Sequence, residues 1–376
     1  MLRLLNYTEY SLTEYIRENK LSIIVYGAGM IGKIVIPDFL KRNNLLDFLN
    51  VYIDADERKQ LKKVNIDDRA YNICSPDYLN TISKNSILFI TNSNYSPVLN
   101  MLDGIDNLKG MDSVIIPVIQ TLALKNDKQK YEIIDYETEK IPKIINYCWF
   151  SGREMPEYLV RCIESWKRFC PDYEIKRWDE SNYNISKNKY MSDAYSEKKW
   201  GFVPDYARLD ILYNYGGFYL DTDVELLDSL DRFRNQGAFC GVEKWGNVNI
   251  GGCSGAVPGH PMIKKILDYR EKIAFRLPDG SLNLETCGVY ETVPLISEGM
   301  RVDNSVQRIG GMTVFSSDFF HPYDYMSEQT VMTDNTVSIH HFNGDWLDEH
   351  SKQMRKKTAQ QYANLLERME YKIDKF

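Results

Sequence analysis

Hydrophobic positions in the first third of the chain form short continuous runs separated by segments of helical spacing. The apolar runs lie at 22–27, 49–53, 86–91 and 113–116. Continuous apolar runs are typical of strands buried on both faces, and their alternation with helices predicts a parallel α/β sheet. Residues 1–120 are therefore predicted to form a small Rossmann-like domain.

A strongly charged interval, 121–140, has no clear period and is predicted to be a linker. Hydrophobic periodicity resumes after residue 140. Strands and helices alternate at first in this second part, and later strands follow one another without a helix between them. The predicted strands are 141–147, 173–178, 218–220, 237–243, 248–257, 306–315 and 336–341, and the predicted helices are 157–169, 188–199, 203–215, 260–276, 287–299 and 351–370. Residues 141–376 are thus predicted to form a second domain, which includes the last helix.

Composition and charge narrow the classes of function. The 376 residues carry a net charge of −7 with no long basic run, which argues against a nucleic-acid partner. Seven cysteines without a C-x-x-C pair indicate neither a disulfide framework nor structural zinc, and reduced thiols suit a cytoplasmic protein. The basic segment 352–357 leaves peripheral contact with the inner face of a membrane open, although a solvated helix face is the commoner explanation.

The first domain carries a glycine motif between its first strand and the following helix. Gly27, Gly29 and Gly32 have the G-x-G-x-x-G spacing, and Asp54 ends the next strand, where an acid would bind a ribose hydroxyl. Pro37 would weaken the helix, and the glycines could serve only the tight turn. No redox constellation follows. We therefore expect a binding or regulatory module for NAD or another nucleotide.

Two carboxylates follow the short apolar run 218–220. On an extended segment, Asp221 and Asp223 would point to the same side and could share one Mn²⁺ or Mg²⁺ with the phosphate oxygens of a substrate. An Asp-x-Asp at a strand end is often only a turn. The preceding helix, 203–215, ends at Gly216, a typical terminal residue, and this organised context favours a metal–diphosphate site.

Three blocks in this order, 141–152, 202–223 and 337–346, resemble the glycosyltransferases of family 32, which have a DXD sugar-binding region. That family includes capsular polysaccharide transferases and Och1-like mannosyltransferases, and a more distant likeness is to the clostridial glucosylating toxins. The resemblance covers roughly residues 141–350 and implies a GT-A fold, a UDP- or GDP-sugar donor, a divalent metal and retention of anomeric configuration. Asn146 departs from the family, where histidine is common.

The resemblance assigns roles to residues around the acid pair. Asp221 and Asp223 correspond to the DXD acids, of which one also contacts ribose or sugar. Asp205 and Arg208 correspond to the acid and arginine that hold hydroxyls of the donor sugar, and their spacing puts them on one helix face. An ion pair on the helix surface is the alternative explanation for these two residues.

The remaining candidates are aromatic residues and histidines. By the same resemblance, Trp149 stacks on the nucleobase, and Tyr219 and Trp346 contact the donor. His340 and His341 lie in one predicted strand and therefore face opposite sides, so that one could reach the cation. The sequence leaves open which of the two does so.

The resemblance implies transfer of a sugar to a hydroxyl of a glycan or lipid-linked acceptor. Bacterial capsular or surface polysaccharide synthesis, in contact with a membrane or an assembly complex, is the expected setting. Retaining glycosidases use a carboxylate nucleophile, and because none is evident we expect front-side attack, in which the leaving phosphate accepts the proton. Two alternatives stay open: a non-catalytic nucleotide-sugar sensor, and an NAD-dependent sugar-modifying enzyme that uses the first domain.

Overall fold

The computed structural model describes residues 1–126, 130–344, 347 and 349–369. These residues form two compact units, the first from 1–126, 325–329 and 349–369 and the second from 130–324, 330–344 and 347. Each unit is built on a seven-stranded sheet flanked by helices. The predicted α/β class is therefore confirmed. No helix in the described part of the chain is long and apolar enough to cross a membrane.

The first unit has a sheet in which six of the seven strands are parallel. Its strands are β1 (Arg3–Leu4), β2 (Ser22–Tyr26), β3 (Leu49–Ile53), β4 (Lys63–Ile66), β5 (Arg69–Cys74), β6 (Ser86–Ile90) and β7 (Asp112–Ile115), and its helices are α1 (Glu9–Asn19), α2 (Ile36–Arg42), α3 (Glu57–Gln60), α4 (Tyr95–Asp103) and α5 (Ile116–Asn126). The strand order is β1-β7-β6-β2-β3-β5-β4, and only β4 is antiparallel to its neighbour. The four predicted strands are confirmed. The sequence missed β1, β4 and β5, which are short or largely exposed and lack a continuous apolar run.

Short turns of other helix types complete this unit. A π-helical turn, Ile31–Val35, precedes α2, and short 3₁₀ helices lie at Leu46–Phe48, Pro76–Asn80 and Asp106–Leu108. Pro37 is placed in the first turn of α2, where its missing N–H is tolerated. The expected weakening of the helix is thus avoided by a change of helix type ahead of the proline.

The final helix, Glu349–Arg368, lies in the first unit, whereas the sequence prediction assigned it to the second. Its Arg368 donates to both carboxylate oxygens of Asp103 at the end of α4, at 2.6 and 2.8 Å. Its buried residues, Thr358, Tyr362 and Leu365, form one stripe at helical spacing. Periodicity shows that such a stripe must be buried but does not show against which partner.

The predicted linker also differs from the structure at both ends. Helix α5 continues to Asn126, past the predicted boundary at 120. The second half of the predicted linker, 130–140, is hydrogen-bonded within the second unit, since the backbone N–H groups of Tyr136 and Glu137 both donate to Asn235 O.

The second unit contains the remaining elements in chain order. The strands are β8 (Ile144–Cys148), β9 (Glu174–Trp178), β10 (Gly217–Tyr219), β11 (Val224–Leu226), β12 (Ala238–Val242), β13 (Val248–Ala256), β14 (Gln307–Ile309), β15 (Met312–Phe315), β16 (Tyr323–Asp324), β17 (Gln329–Thr330, whose first residue belongs to the first unit) and β18 (Ser338–His340). The α-helices are α6 (Glu157–Phe169), α7 (Lys189–Ser196), α8 (Pro204–Tyr215), α9 (Pro261–Arg270), α10 (Cys287–Ile296) and α11 (Ser317–Phe320), and the 3₁₀ helices are Ile185–Lys187 and Leu230–Gln236.

The main sheet of this unit has the order β14-β15-β12-β13-β10-β8-β9. Strands β8, β9 and β10 are parallel, whereas β13 runs antiparallel to both of its neighbours. Successive residues of β10 enter different cores, with Phe218 on one face and Tyr219 on the other. Helix α8 ends at Gly216 as predicted, with φ of 65°, and the chain then enters β10, an inner strand between β13 and β8.

Candidate functional site

The acid pair lies in a tight turn and not on an extended strand. Strand β10 ends at Tyr219, after which Asp221 N donates to Gly251 O at 2.7 Å. Val224 N donates to Asp221 O at 3.1 Å, which closes a turn from Asp221 to Val224. The predicted extended geometry is therefore wrong here. The chain leaves the sheet because the next residues, in β11, pair with β18.

Asp223 is held by the loop that follows β18. Its Oδ1 lies 3.3 Å from His340 Nε2, and its Oδ2 accepts a hydrogen bond from Asn343 N at 3.1 Å. Burial alone would raise the pKa of Asp223, but the imidazole of His340 and the N–H of Asn343 lower it below its usual range. The pKa of His340 is raised by Asp223 against the lowering effect of burial. Both shifts favour a carboxylate beside an imidazolium.

The structure separates the two adjacent histidines. His340 is buried beside Asp223, with the ring of Phe342 stacked on it at a centroid distance of 4.0 Å. His341 is on the opposite side, where its Nε2 lies 2.9 Å from Glu225 Oε2. Only His340 is therefore placed with the acid pair, and His341 is directed away from it.

Arg208 lies at the centre of the carboxylates. Its Nη2 is 3.3 Å from Asp205 Oδ1 and 3.5 Å from Asp221 Oδ2. The side chains of Asp205 and Arg208 are each only 4% exposed, so the alternative of a surface ion pair is wrong. A Cβ atom at Gly251 would lie 2.1 Å from Asp221 Oδ2 and 2.7 Å from Arg208 Nη1. The close approach of these two side chains to β13 therefore requires glycine at this position.

Two further charged residues, which the sequence pattern did not indicate, contact Asp205 and Arg208. Arg270 Nη2 donates to Asp205 Oδ2 at 2.7 Å, and its guanidinium lies over the rings of Tyr190 and Tyr290 at 4.0 and 4.7 Å. Glu291 Oε1 lies 3.6 Å from Arg208 Nη1. A usable signal exists in each helix, because both residues occupy the buried apolar stripe, where an unpaired charge is rare.

The aromatic candidates have different placements. Trp149 directly follows β8 at the carboxyl end of the sheet; it is half-buried, and its Nε1 donates to Arg153 O at 2.8 Å. Between them, Ser151 has φ of 109°, a conformation that is strained for a residue with a side chain. Tyr219 is fully buried, with the Arg208 guanidinium 5.7 Å from its ring centre. Trp346 lies outside the described residues.

Asn146, the position that departs from the family, has a structural role. Its Nδ2 donates to Gly216 O and Phe218 O at 3.1 Å each, and its Oδ1 accepts from Trp178 Nε1 at 2.9 Å. The side chain is fully buried and thus joins α8, β10 and β9.

The residues at the turn fit a divalent cation that is shared with a substrate. Asp223 is favoured in its anionic form, Asp221 is beside it on the same turn, and His340 holds one oxygen of Asp223 in place. No three His, Cys, Asp or Glu side chains of the described residues form a complete cation site. A cation here would therefore need further oxygen ligands, as Mg²⁺ and Mn²⁺ commonly obtain from substrate phosphates.

The glycine motif of the first unit is arranged differently. Asp54 is buried, and its Oδ2 accepts from Ala28 N at 2.8 Å and from Lys59 Nζ at 3.0 Å. A Cβ at Gly32 would lie 2.0 Å from Gly27 O, so this glycine allows close packing of helix on strand, whereas a Cβ at Gly29 would meet nothing within 4 Å. The structure thus accounts for Gly32 and Asp54 by internal contacts and leaves Gly29 facing open space.

The part of the chain from α6 to β12 matches a known protein family. Residues 156–240 match the family model described as the glycosyltransferase sugar-binding region containing the DXD motif. This match confirms the resemblance that the sequence blocks indicated. The segment includes α8 and the acid turn, whereas β18 and α10 lie outside it.

Two curated relatives align with 179 and 155 residues of this chain. Inositol phosphoceramide mannosyltransferase 3 of Schizosaccharomyces pombe is 31% identical over 179 residues, which is 45% of this chain and 47% of the relative. The uncharacterized glycosyltransferase L373 of Acanthamoeba polyphaga mimivirus is 30% identical over 155 residues, 38% of this chain and 59% of the relative. The chain therefore spans about half the length of the curated relatives it matches.

Solved structures of glycosyltransferases also align with this chain. The PaToxG glycosyltransferase aligns with 49% of this chain and 77% of its own, at 17% identity and a TM-score of 0.34. A glycosyltransferase involved in the glycosylation of the major capsid of PBCV-1 aligns with 58% of this chain and 100% of its own, at 12% identity and a TM-score of 0.33.

Proposed function

We propose, from the premise that residues 156–240 carry the DXD-containing sugar-binding region of glycosyltransferases, that this chain is a metal-dependent glycosyltransferase. It would move a sugar from a nucleoside diphosphate to an acceptor hydroxyl. One observation carries the proposal: the turn that places Asp221 beside the buried Arg208 also places Asp223 beside His340. Anionic and cationic side chains thus meet where a GT-A-type site would bind a metal and a diphosphate.

The chain's own residues would divide the work of donor binding. Asp221 and Asp223 would hold Mn²⁺ or Mg²⁺ together with phosphate oxygens of the substrate, and His340 would orient Asp223. The cation would supply Lewis-acid stabilisation of the negative charge on the leaving diphosphate. Arg208 would bind diphosphate oxygens or sugar hydroxyls, and Asp205 holds the guanidinium in place.

The other donor contacts are assigned by the family resemblance. Trp149 would stack on the nucleobase at the sheet edge, and Trp346 would contact the donor. Tyr219, which the sequence assigned to donor binding, is fully buried, and its ring would act on the donor only through the Arg208 guanidinium 5.7 Å away. Retention of configuration by front-side attack, in which the leaving phosphate accepts the proton of the acceptor hydroxyl, completes the proposed reaction.

Relatives guide the choice of acceptor and donor. Three fungal relatives bear the name inositol phosphoceramide mannosyltransferase, which supports a lipid-linked or glycan acceptor and makes GDP-mannose a first donor to test beside UDP-sugars. We propose a cytoplasmic enzyme that works at the inner face of a membrane, in capsular or surface polysaccharide synthesis and in contact with an assembly complex.

The test uses the full chain with a panel of UDP- and GDP-sugars and either Mn²⁺, Mg²⁺ or a chelator. Metal-dependent release of the nucleoside diphosphate supports the transferase. Binding of a nucleotide-sugar without release, measured by calorimetry, supports the sensor instead. A change of nicotinamide absorbance on addition of NAD supports the sugar-modifying enzyme and contradicts the proposal.

The first unit is proposed to bind a nucleotide at its glycine loop, and the open space at Gly29 supports this. A shift of the thermal midpoint of the full chain by NAD or ADP that is lost in Gly29→Val would support it. The full chain is needed because the final helix belongs to this unit. No shift by any nucleotide, or an equal shift in the variant, would contradict nucleotide binding at this loop.

A further inference from the structure

Glu291 is a buried carboxylate whose surroundings do not satisfy it. Its side chain is 1% exposed, and its Oε2 accepts a hydrogen bond from Ile250 N at 2.8 Å. Its Oε1 receives no hydrogen bond from the described residues, and Arg208 Nη1 is 3.6 Å away, beyond hydrogen-bond distance. A buried carboxylate oxygen without a donor is costly, so its retention beside the proposed donor site calls for a role.

Arg208 is loosely held on every side. Its Nη2 is 3.3 Å from Asp205 and 3.5 Å from Asp221, and its Nη1 is 3.6 Å from Glu291 and 3.7 Å from Cys287 Sγ. None of these distances is that of a short bidentate pair. The guanidinium thus lies between carboxylates, with Asp205 and Asp221 near Nη2 and Glu291 near Nη1.

Metal binding would change this balance. With Asp221 engaged by a cation, Arg208 would keep two carboxylate partners, Asp205 and Glu291. Asp205 is already bound to Arg270 at 2.7 Å, so Glu291 is the partner with a free oxygen. Without it, the guanidinium would be drawn towards Asp205 and away from the donor.

We propose that Glu291 is a positioning residue for the sugar donor, which acts by holding Arg208 Nη1 while Asp221 binds the metal. This inference rests on the proposed function and deepens it. The active form would be the ionised carboxylate, because only a charge at Glu291 would replace the attraction that Arg208 would lose if Asp221 bound the metal.

The ionisation of Glu291 gives the proposal a measurable signature. Burial raises the pKa of Glu291 to about 7, although Arg208 and the hydrogen bond from Ile250 lower it. The charged or titratable groups that face it are Asp205 and Arg208 from α8, Arg270 from α9, Cys240 from β12 and Cys287 from α10. The carboxylate therefore gains its charge as the pH rises through the neutral range.

The experiment compares the full chain with Glu291→Gln, which keeps the shape and an acceptor for Ile250 N but cannot ionise. The donor kcat/KM is measured with Mn²⁺ from about pH 6 to about pH 8.5, a range that brackets neutral titration. We expect the kcat/KM of the unmodified protein to rise through pH 7 by a step that the variant lacks. At the upper pH the variant is expected to be about 10- to 100-fold lower, as for other positioning partners.

Asp210→Asn is the matched control. Asp210 is also buried on α8 and accepts from Lys187 Nζ at 2.6 Å and Tyr183 Oη at 2.7 Å, without contact to Arg208. It should lower stability and leave the pH profile of kcat/KM unchanged. Steps that arise from other groups, such as His340, are present in all three proteins and cancel in the comparison.

The outcomes separate this inference from the function on which it rests. If the unmodified protein releases no nucleoside diphosphate from any donor, the proposed function fails. If it is active and Glu291→Gln has the same kcat/KM and the same pH profile, the positioning role is wrong and the function stands. A uniform loss at every pH, matched by Asp210→Asn, would show that Glu291 only stabilises the fold and would overturn the inference.

Discussion

The two units of this protein each bury charged side chains close to a glycine, and they differ in how closely these charges are paired. In the first unit, Asp54 is bound by Ala28 N, Asp56 N and Lys59, all within 3.0 Å. In the second unit, Arg208 is 3.3–3.6 Å from three carboxylates, and one oxygen of Glu291 has no donor among the described residues. The contacts of Asp54 are explained by folding alone, and only the open space at Gly29 is left for a ligand in this region. In the second unit, the loosely paired guanidinium of Arg208 can still form short hydrogen bonds to a ligand.

The largest expected effect is on stability, from breaking the buried pair behind the acid turn. Asp205→Asn leaves Arg270 and Arg208 without their shared carboxylate. We expect a loss of about 3–5 kcal/mol in the free energy of unfolding, as for other buried ion pairs that lose one partner. All six tryptophans lie between residues 149 and 346, so their fluorescence during urea unfolding reports on the second unit.

The double variant Asp205→Leu with Arg270→Met provides the control, because it removes both charges of the pair. It should recover part of the lost stability. If Asp205→Asn is as stable as the unmodified protein, the network is not a buried ion pair in solution.

Next in size is the loss of transfer in the variants of the acid turn. Asp221→Asn and Asp223→Asn should each lower kcat by about 10²–10³-fold, comparable to the removal of other groups that stabilise developing charge. Release of nucleoside diphosphate measures this. Glu225→Gln is the control, since Glu225 belongs to the same stretch but faces His341. Equal losses in all three variants would show that the turn is sensitive to any change and carries no specific metal site.

The third prediction concerns the pH dependence of stability through Glu291. Its pKa is raised by burial from 4.5 to about 7 in the folded state, so the folded protein binds the proton more tightly than the unfolded chain does. The contribution of Glu291 to the free energy of unfolding is therefore fully present below pH 4.5 and falls as the pH rises towards 7. Above pH 7 this contribution is lost, and the total decrease in the free energy of unfolding is about 3 kcal/mol. Glu291→Gln should lack this fall, measured as the difference in urea midpoints at acidic and alkaline pH. An identical pH dependence in both proteins would contradict the burial of an ionising Glu291.

The smallest predicted effects contrast two glycines of one motif. Gly32→Ala should lower stability by about 1–3 kcal/mol, since its Cβ would meet Gly27 O at 2.0 Å, whereas Gly29→Ala should change it by less than about 0.5 kcal/mol. Because tryptophans are absent from the first unit, circular dichroism is the measurement. If both variants are equally stable, the helix does not pack on the strand as the structure has it.

The sequence predicted the candidate site more completely on the strand and helix side than on the loop side. Helix 157–169 was predicted at its observed bounds, and the helix before Gly216 was predicted within one residue, because apolar spacing and terminal glycine are local signals. The geometry of Asp221 and Asp223 was not, since a turn between strands of two different sheets depends on pairing with distant β18. Likewise, Arg270 and Glu291 join the site only because α10 packs on β13 and α9 packs against α8 and α10.

What the sequence by itself determined is the α/β class, the identity of the acid pair, and the side-by-side placement of Asp205 and Arg208 on one helix face. These follow from periodicity and from spacing within single elements, which the chain fixes over a few residues. The tertiary structure alone decided which histidine meets Asp223, that the final helix belongs to the first unit, and that Arg208 lies among three carboxylates. Such facts depend on contacts between residues far apart in sequence, where burial and charge are decided by partners that no local pattern names.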